Sequence, residues 1–273
     1  MTKIVVHHDA GSRYDTFAER LEAAAEQAAP LVEAVTGLAL PDTVVLRTMT
    51  PRGWQAAHRR RDRHLLRAEA RELRPSRSNR HAAKEKVKEK RKSRRLIWPM
   101  VGGQTVEFRR GGPELAIMPK AMWEAGWLND DPVLLRHAAH EMTHLAQYAA
   151  DDGAMWRLMG TLYPEQRGIA DRDFGFLVEG HAYWTDKQIT TKVFGAPVST
   201  KGGSPHASLR FKALKKSLKF DVSVDDLIRA TDSVGDIITA HGLDAFNQVW
   251  HRPELVPTYE EAKTPAGWIQ RFE

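Results

Sequence analysis

Residues 137 to 144 read His137-Ala138-Ala139-His140-Glu141-Met142-Thr143-His144, and no other stretch limits the fold so tightly. Two histidines four apart leave an α-helix on one face, a single turn apart. On a strand the same pair would stand about 13 Å apart, so only a helix lets both imidazoles meet at one point. Glu141 sits beside that face and can reach a water held there as a general base. The flanks agree with a buried helix: Val133, Leu134, Leu135 and Leu145 are apolar, and Pro132 after Asp130-Asp131 suits a first turn. The spacing is that of the HExxH zinc signature.

Two histidines do not complete a catalytic zinc site, which commonly has three protein ligands and a water. One known continuation places a glycine and then a third histidine further along the same segment. Here Gln147 and Ala150 occupy those positions, so the third ligand must come from elsewhere. The run Phe176-Leu177-Val178-Glu179-Gly180-His181-Ala182-Tyr183-Trp184 supplies a candidate in Glu179, an acid after an apolar triplet. Ala182, Tyr183 and Asp186 share its helical face. Small Ala182 would let two helices approach, and Asp186 or Tyr183 could orient a liganding imidazole. His181 is the rival ligand, but it lies about 200° around the helix from Glu179, so both cannot face one ion. His137, one turn before His140, reads as a rim or orienting residue. His7-His8-Asp9 alternates faces on a strand and reads as a strand end.

Around these motifs the periodicity predicts a helix from Tyr14 to Val35 stopped by Gly37. Further helices are predicted near Pro132 to Ala150, Phe174 to Thr191, Ser208 to Leu218, Val224 to Ala240 and Leu243 to Val249. Short strands are expected at residues 3–6, 43–46, 105–108 and 114–118, the last two as an antiparallel pair joined through Gly111-Gly112-Pro113. Glu114 to Met118 is the expected sheet edge for an extended peptide to pair with. The fold class is therefore α+β: a small N-terminal mixed sheet with helices, and a mainly helical C-terminal half around the motif helix. Four parts follow: an α/β part at 1–50, a basic surface insertion at 51–97, the sheet edge and motif helix at 98–150, and a helical subdomain carrying the third ligand at 151–273.

Charge singles out the second part. Arg52 to Arg95 holds 18 Lys and Arg against 5 Asp and Glu, a balance of +13 in a chain of net charge +6. The rest is mildly acidic. The apolar residues of this segment (Trp54, Leu65, Leu66, Leu73, Val87) look too sparse to bury a face, so a helical or disordered surface excursion is expected. Nucleic acid or an acidic partner could bind it, although it lacks interleaved aromatics to stack on bases. The absence of cysteine excludes disulfides, thiolate metal sites and a cysteine nucleophile. Neither a secretory leader nor a membrane-spanning run is evident, so a cytoplasmic protein is expected.

Helix-borne His-Glu-Met-Thr-His, followed about 35 residues later by Glu-Gly-His-Ala, resembles the gluzincin branch of the zincin metallopeptidases. The closing residues Phe246-Asn247-Gln248-Val249-Trp250, Pro253 to Thr258, Glu261, Pro265, Trp268-Ile269 and Arg271 are similar to those of an actinobacterial zincin-like family. Its members are labelled as hydrolases or as associated with deazaflavin-cofactor biosynthesis. The basic helix at Leu209 to Leu214 fits the same pattern, and the Arg52–Arg95 segment departs from it. The resemblance implies a zincin-like fold, Zn2+ held by His140, His144 and Glu179, and Glu141 as catalytic base. The implied function is a zinc metallopeptidase cleaving peptide bonds by Glu-assisted attack of zinc-bound water. An oxyanion donor is expected among Tyr163, Tyr183, His206 and His241. The alternative is a zincin scaffold with little peptidase activity that binds nucleic acid or an acidic partner through residues 52–95.

Overall fold

The computed structural model describes residues 2–200, 203–217 and 224–272. Strands β1 (Lys3–Asp9), β2 (Thr43–Met49), β3 (Gly103–Arg109) and β4 (Gly112–Ile117) form one mixed sheet in the order β1-β2-β4-β3. β1 pairs parallel with β2 and β2 parallel with β4, while β3 closes the sheet antiparallel to β4. The edge beside the motif is therefore β3. The expected edge, Glu114 to Met118, lies inside the sheet, because β2 takes its other side through Leu46, Arg47 and Thr48.

Helix α1 (Asp15–Thr36) runs through Pro30 and stops at Gly37, whose φ of 66° is the left-handed conformation of a glycine cap. Its buried stripe of Phe17, Leu21, Ala25, Ala28 and Val32 packs on α5 (Asp131–Ala149) and on Val44, Leu46, Leu115 and Ile117 of the sheet. α5 begins where Asp130 caps the amide of Val133 at 3.1 Å with Pro132 in the first turn. It is buried along most of its length, the sheet and α1 on one side and α7 (Phe174–Phe194) on the other.

A second core lies behind α7. There α9 (Val224–Asn247), broken at Gly242 where φ is 83°, packs Ala230, Val234 and Phe246 against Leu177 and Val178. That break separates the two helices expected from sequence. The C-terminal segment seals this core: Trp268 is fully buried and donates Nε1 to Leu255 O at 2.7 Å, while Arg271 pairs with Glu261 at 2.8 Å. Helix α8 (Leu209–Ser217) covers the predicted basic helix; its expected end at Leu218 lies outside the described residues.

The basic segment folds as two helices, α2 (Pro51–Leu73) and α3 (Arg77–Ile97), capped by Thr50 and Ser76. It does bury a face, contrary to the sequence expectation. Trp54, Ala57, His58, Ala83 and Val87 are buried, as are the paired acids Asp62 and Glu69. Asp62 joins Arg91 and Arg94, and Glu69 accepts from Thr161 Oγ1 and Leu162 N at 2.6 and 2.8 Å. Alanines and neutralised charges make this face, so hydropathy alone does not reveal it. No described helix is long and apolar enough to cross a membrane.

Two predictions follow from this packing. A Cβ on Gly180 would lie 2.7 Å from Ala230 O, so Gly180→Ala must push α7 from α9 and should destabilise by about 1–3 kcal/mol. Gly267→Ala, which meets nothing within 4 Å, should be near neutral in the same urea titration. His58 has its pKa lowered to about 3 by burial and by Arg94, with Gln104 opposing. The unfolded chain thus takes up a proton near pH 6.5 that the native one refuses, and stability must fall as pH drops from there toward 3. Between pH 7 and 5 the loss attributable to His58 should be about 2 kcal/mol, and His58→Asn should reduce the measured drop by that amount.

Candidate metal centre

The α5–α7 contact is polar at its middle. His140 Nε2 lies 3.3 Å from Glu179 Oε2, and His144 Nε2 lies 3.7 Å from Glu179 Oε1. One donor atom from each of the three residues falls within 4.8 Å of the other two. The remaining imidazole nitrogens are engaged elsewhere. His140 Nδ1 meets Asp186 Oδ2 at 3.1 Å, and Asp186 also binds Arg136 at 3.0 Å. His144 Nδ1 donates to Gln147 Oε1 at 2.9 Å, and Gln147 donates Nε2 to Val178 O at 3.0 Å. Each ring is thus fixed by its Nδ1 with its Nε2 turned to Glu179, as second-layer partners fix liganding imidazoles.

This donor set fits a small divalent cation. Two imidazoles and a carboxylate are a common catalytic zinc set, and donors this close can all reach one ion at about 2.0–2.2 Å. Without an ion the cluster settles as an ion pair. Burial opposes a charge on His140, but hydrogen bonds to Asp186 and Glu179 raise its pKa well above the usual value. Burial likewise opposes the Glu179 charge, yet the hydrogen bond from His140 and the charges of His144 and His140 lower its pKa to about 2.

Glu141 lies alongside, 6% exposed, with its Oε2 buried and without a hydrogen-bond partner. Strand β3 crosses directly above it. Thr105 Oγ1 donates to Glu141 O at 2.7 Å, and a Cβ on Gly103 would come within 3.1 Å of Glu141 Oε1. Gly102 is equally close to His137, whose Nδ1 donates to Val133 O at 2.9 Å. Burial and the charge of Arg136 lower the His137 pKa to about 3.

His140, His144, Glu179, Glu141, His137 and Tyr183 all line one cavity of about 570 Å³. Tyr183 packs edge-on to His140 at 4.6 Å and lies under Arg136 at 5.3 Å. Of the four expected oxyanion donors it alone lines this cavity; Tyr163 is buried against Ala83 and Val87 of the hairpin. His181 stays outside the cluster. It is fully buried against Phe246 and Trp250, with Gln147 Nε2 at 3.1 Å from its Nδ1. Burial and the charge of His144 lower its pKa to about 3. His7 and His8 lie on β1, where His8 faces Asp15 at 3.5 Å.

Two contributors were missed from sequence. Gln147 counted only as a missing glycine, though a polar residue one turn beyond His144 on a buried helix was the available signal. Trp54, Lys90, Ser93 and Arg94 of the basic hairpin also line the cavity, and only the tertiary fold places them there.

Comparison with known proteins adds the following. Residues 202–269 match a family described as zincin-like metallopeptidase. That span follows α7, so His140, Glu141, His144 and Glu179 all lie outside it. No curated protein matches the chain by sequence. A crystal structure from Chloroflexus aurantiacus, described as a proposed hydrolase with a novel fold, superposes with a TM-score of 0.56 at 19% identity. The likeness covers 96% of this chain and 91% of the other, and the fold is shared. The fold is α+β and zincin-like.

If Asp186 orients His140, Asp186→Asn should weaken zinc binding about 10–100-fold in a chelator competition while leaving the helical circular dichroism unchanged.

Proposed function

We propose that this chain is a zinc-dependent hydrolase, and specifically a metallopeptidase working in the cytoplasm. The observation that carries the reading is the convergence of His140 Nε2, His144 Nε2 and the Glu179 carboxylate beside the partnerless Glu141 Oε2. His140, His144 and Glu179 hold the ion in this reading. When bound, zinc supplies Lewis-acid charge that polarises a carbonyl and eases loss of a proton from water.

The chain's own groups do the rest. Glu141 takes the proton of the attacking water and returns it to the leaving amine. Its burial against β3 keeps the carboxylate in place between the two transfers. Tyr183 is the donor available to the developing oxyanion. Gly102 to Thr105, along the cavity wall on the sheet edge, offer backbone groups to an extended peptide, and the missing side chains at Gly102 and Gly103 let it approach. The match to zincin-like metallopeptidases supports a hydrolase, as does the fold shared with the Chloroflexus aurantiacus protein.

Elemental analysis and peptide cleavage test this together. Wild type and Glu141→Gln should each hold about one zinc per chain, and Glu141→Gln should cleave about 100–10,000-fold more slowly because only the base is gone. Glu179→Ala should hold little zinc. Full activity in Glu141→Gln would overturn the base assignment. Undiminished zinc in Glu179→Ala would move the third ligand elsewhere.

A further inference from the structure

The basic hairpin is the largest feature that hydrolysis leaves unexplained. Two of its lysines are spent in exposed helical pairs, Lys88–Glu85 and Lys92–Glu89. Its inner end is different. Lys90, Ser93, Arg94 and Ile97 of α3, with Trp54 of α2, line the same cavity as His140, Glu141 and Glu179. On the hairpin side a single carboxylate, Asp62, serves both Arg91 at 3.2 Å and Arg94 at 2.9 Å, which leaves that group with a net charge of about +1. Arg61 spends its Nε on Glu107 O, which carries no charge.

Lys90 has no ion-pair partner among the described residues, and it stands among Lys86, Arg94 and Arg61. Although its side chain reaches solvent, partial withdrawal from water and those like charges lower its pKa, with Asp62 opposing. Of the other charged groups lining the cavity, Glu141 is in no ion pair among the described residues, and the rest are matched. Arg136 is bound by Asp186, and Glu179 by the two histidines. The hairpin side of the cavity therefore has positive charge to spare, and Glu141, the cavity carboxylate without an ion pair, is held beneath β3 and makes none with Lys90 or Arg94.

We propose that this wall selects the substrate: Lys90, backed by Arg94, binds a carboxylate on an acidic peptide seated between β3 and the hairpin. That the ligand is a peptide rests on the hydrolase reading above; that it is anionic rests on the cavity alone. A lysine suits the task, since its ammonium is a point charge on a flexible stem and can follow a carboxylate. Ile97, half-buried, supplies apolar surface on the same helix for the stem of an acidic side chain. Nucleic acid fits this wall less well. Trp54 is buried with Nε1 held by Gln104 at 3.2 Å, so the wall offers no free aromatic face for stacking a base.

The test uses zinc-loaded full-length Glu141→Gln, so that binding is read without cleavage. The probes are a fluorescein-labelled octapeptide of Ala, Gly and Leu with two Glu, and its counterpart with two Gln. Fluorescence anisotropy at low salt should show the Glu peptide about tenfold tighter, with the gap closing as salt rises. Lys90 is exposed, so its replacement spares the core. Adding Lys90→Ala should abolish the preference without changing Gln-peptide affinity, and adding Lys90→Glu should reverse it. Equal affinity of the two peptides, or a preference that survives Lys90→Glu, overturns the proposal. So does a DNA duplex that binds Lys90→Glu as well as the parent while the peptides are not distinguished, which would place anion binding on the outer face.

Cleavage by the protein with Glu141 intact separates this idea from the one beneath it. Cutting both peptides equally defeats the selectivity and leaves the hydrolase. Lys90-dependent binding of the Glu peptide with no cleavage of either upholds the anion site and defeats the peptidase.

Discussion

The structure depends on a polar contact where two buried helices would ordinarily be apolar. α5 and α7 meet through His140, His144, Glu179, Asp186, Gln147 and Arg136. Removing such groups from water is costly unless each finds a partner. Here each does: Asp186 lies between Arg136 and His140, Gln147 joins His144 to the backbone of α7, and Glu179 meets both imidazoles. Such a network tolerates little relative movement of the helices, since a shift of an ångström breaks several charge-assisted bonds at once. Two buried atoms beside this network lack a partner, Glu141 Oε2 and His181 Nε2. Of the two, only the Glu141 oxygen lies beside the three converging donors, where it suits the proton carrier proposed above.

The rest of the fold serves to hold that contact from both sides. α1 and the sheet bury the far face of α5, and α9 with the C-terminal segment buries the far face of α7. Close approach depends on residues without side-chain bulk. Gly180, next to Glu179, sits against the backbone of α9, and Gly102 and Gly103 let the β3 edge pass over His137 and Glu141. These glycines act on the site through the position of backbone, at both ends of the same polar layer.

Local spacing carried the parts of this arrangement that are local. The histidine pair, the start of α5 at Pro132, the stop of α1 at Gly37 and the placement of His181 away from Glu179 all follow from helix geometry within a few residues. What could not be read depends on non-local pairing. Glu114 to Met118 looked like an edge because its neighbour in sequence is β3, but β2, some 70 residues earlier, occupies its other side. The hairpin looked like a solvated excursion because its few large apolar residues, such as Trp54 and Val87, are joined on the buried face by small alanines, His58 and two acids, Asp62 held by arginines and Glu69 by Thr161 and Leu162. Gln147 was legible only as a departure from another motif. Its role needs His144, Val178 and His181 in place, and two of those come from α7.

The family match falls on a different part of the fold from the metal centre. Residues 202–269 cover α8, whose Phe211 packs on Trp127 and Ala125, then α9 and the segment through Trp268, which pack behind α7, and none of the four residues proposed for the chemistry. The wall behind α7 is dense with large side chains of fixed geometry, among them Phe246, Trp250 and Trp268, each almost wholly buried. Close-packed aromatics constrain sequence at many positions together, whereas a metal centre constrains only a handful of residues spread over two helices. From α9 onward, the span most recognisable in sequence thus supports α7 from behind.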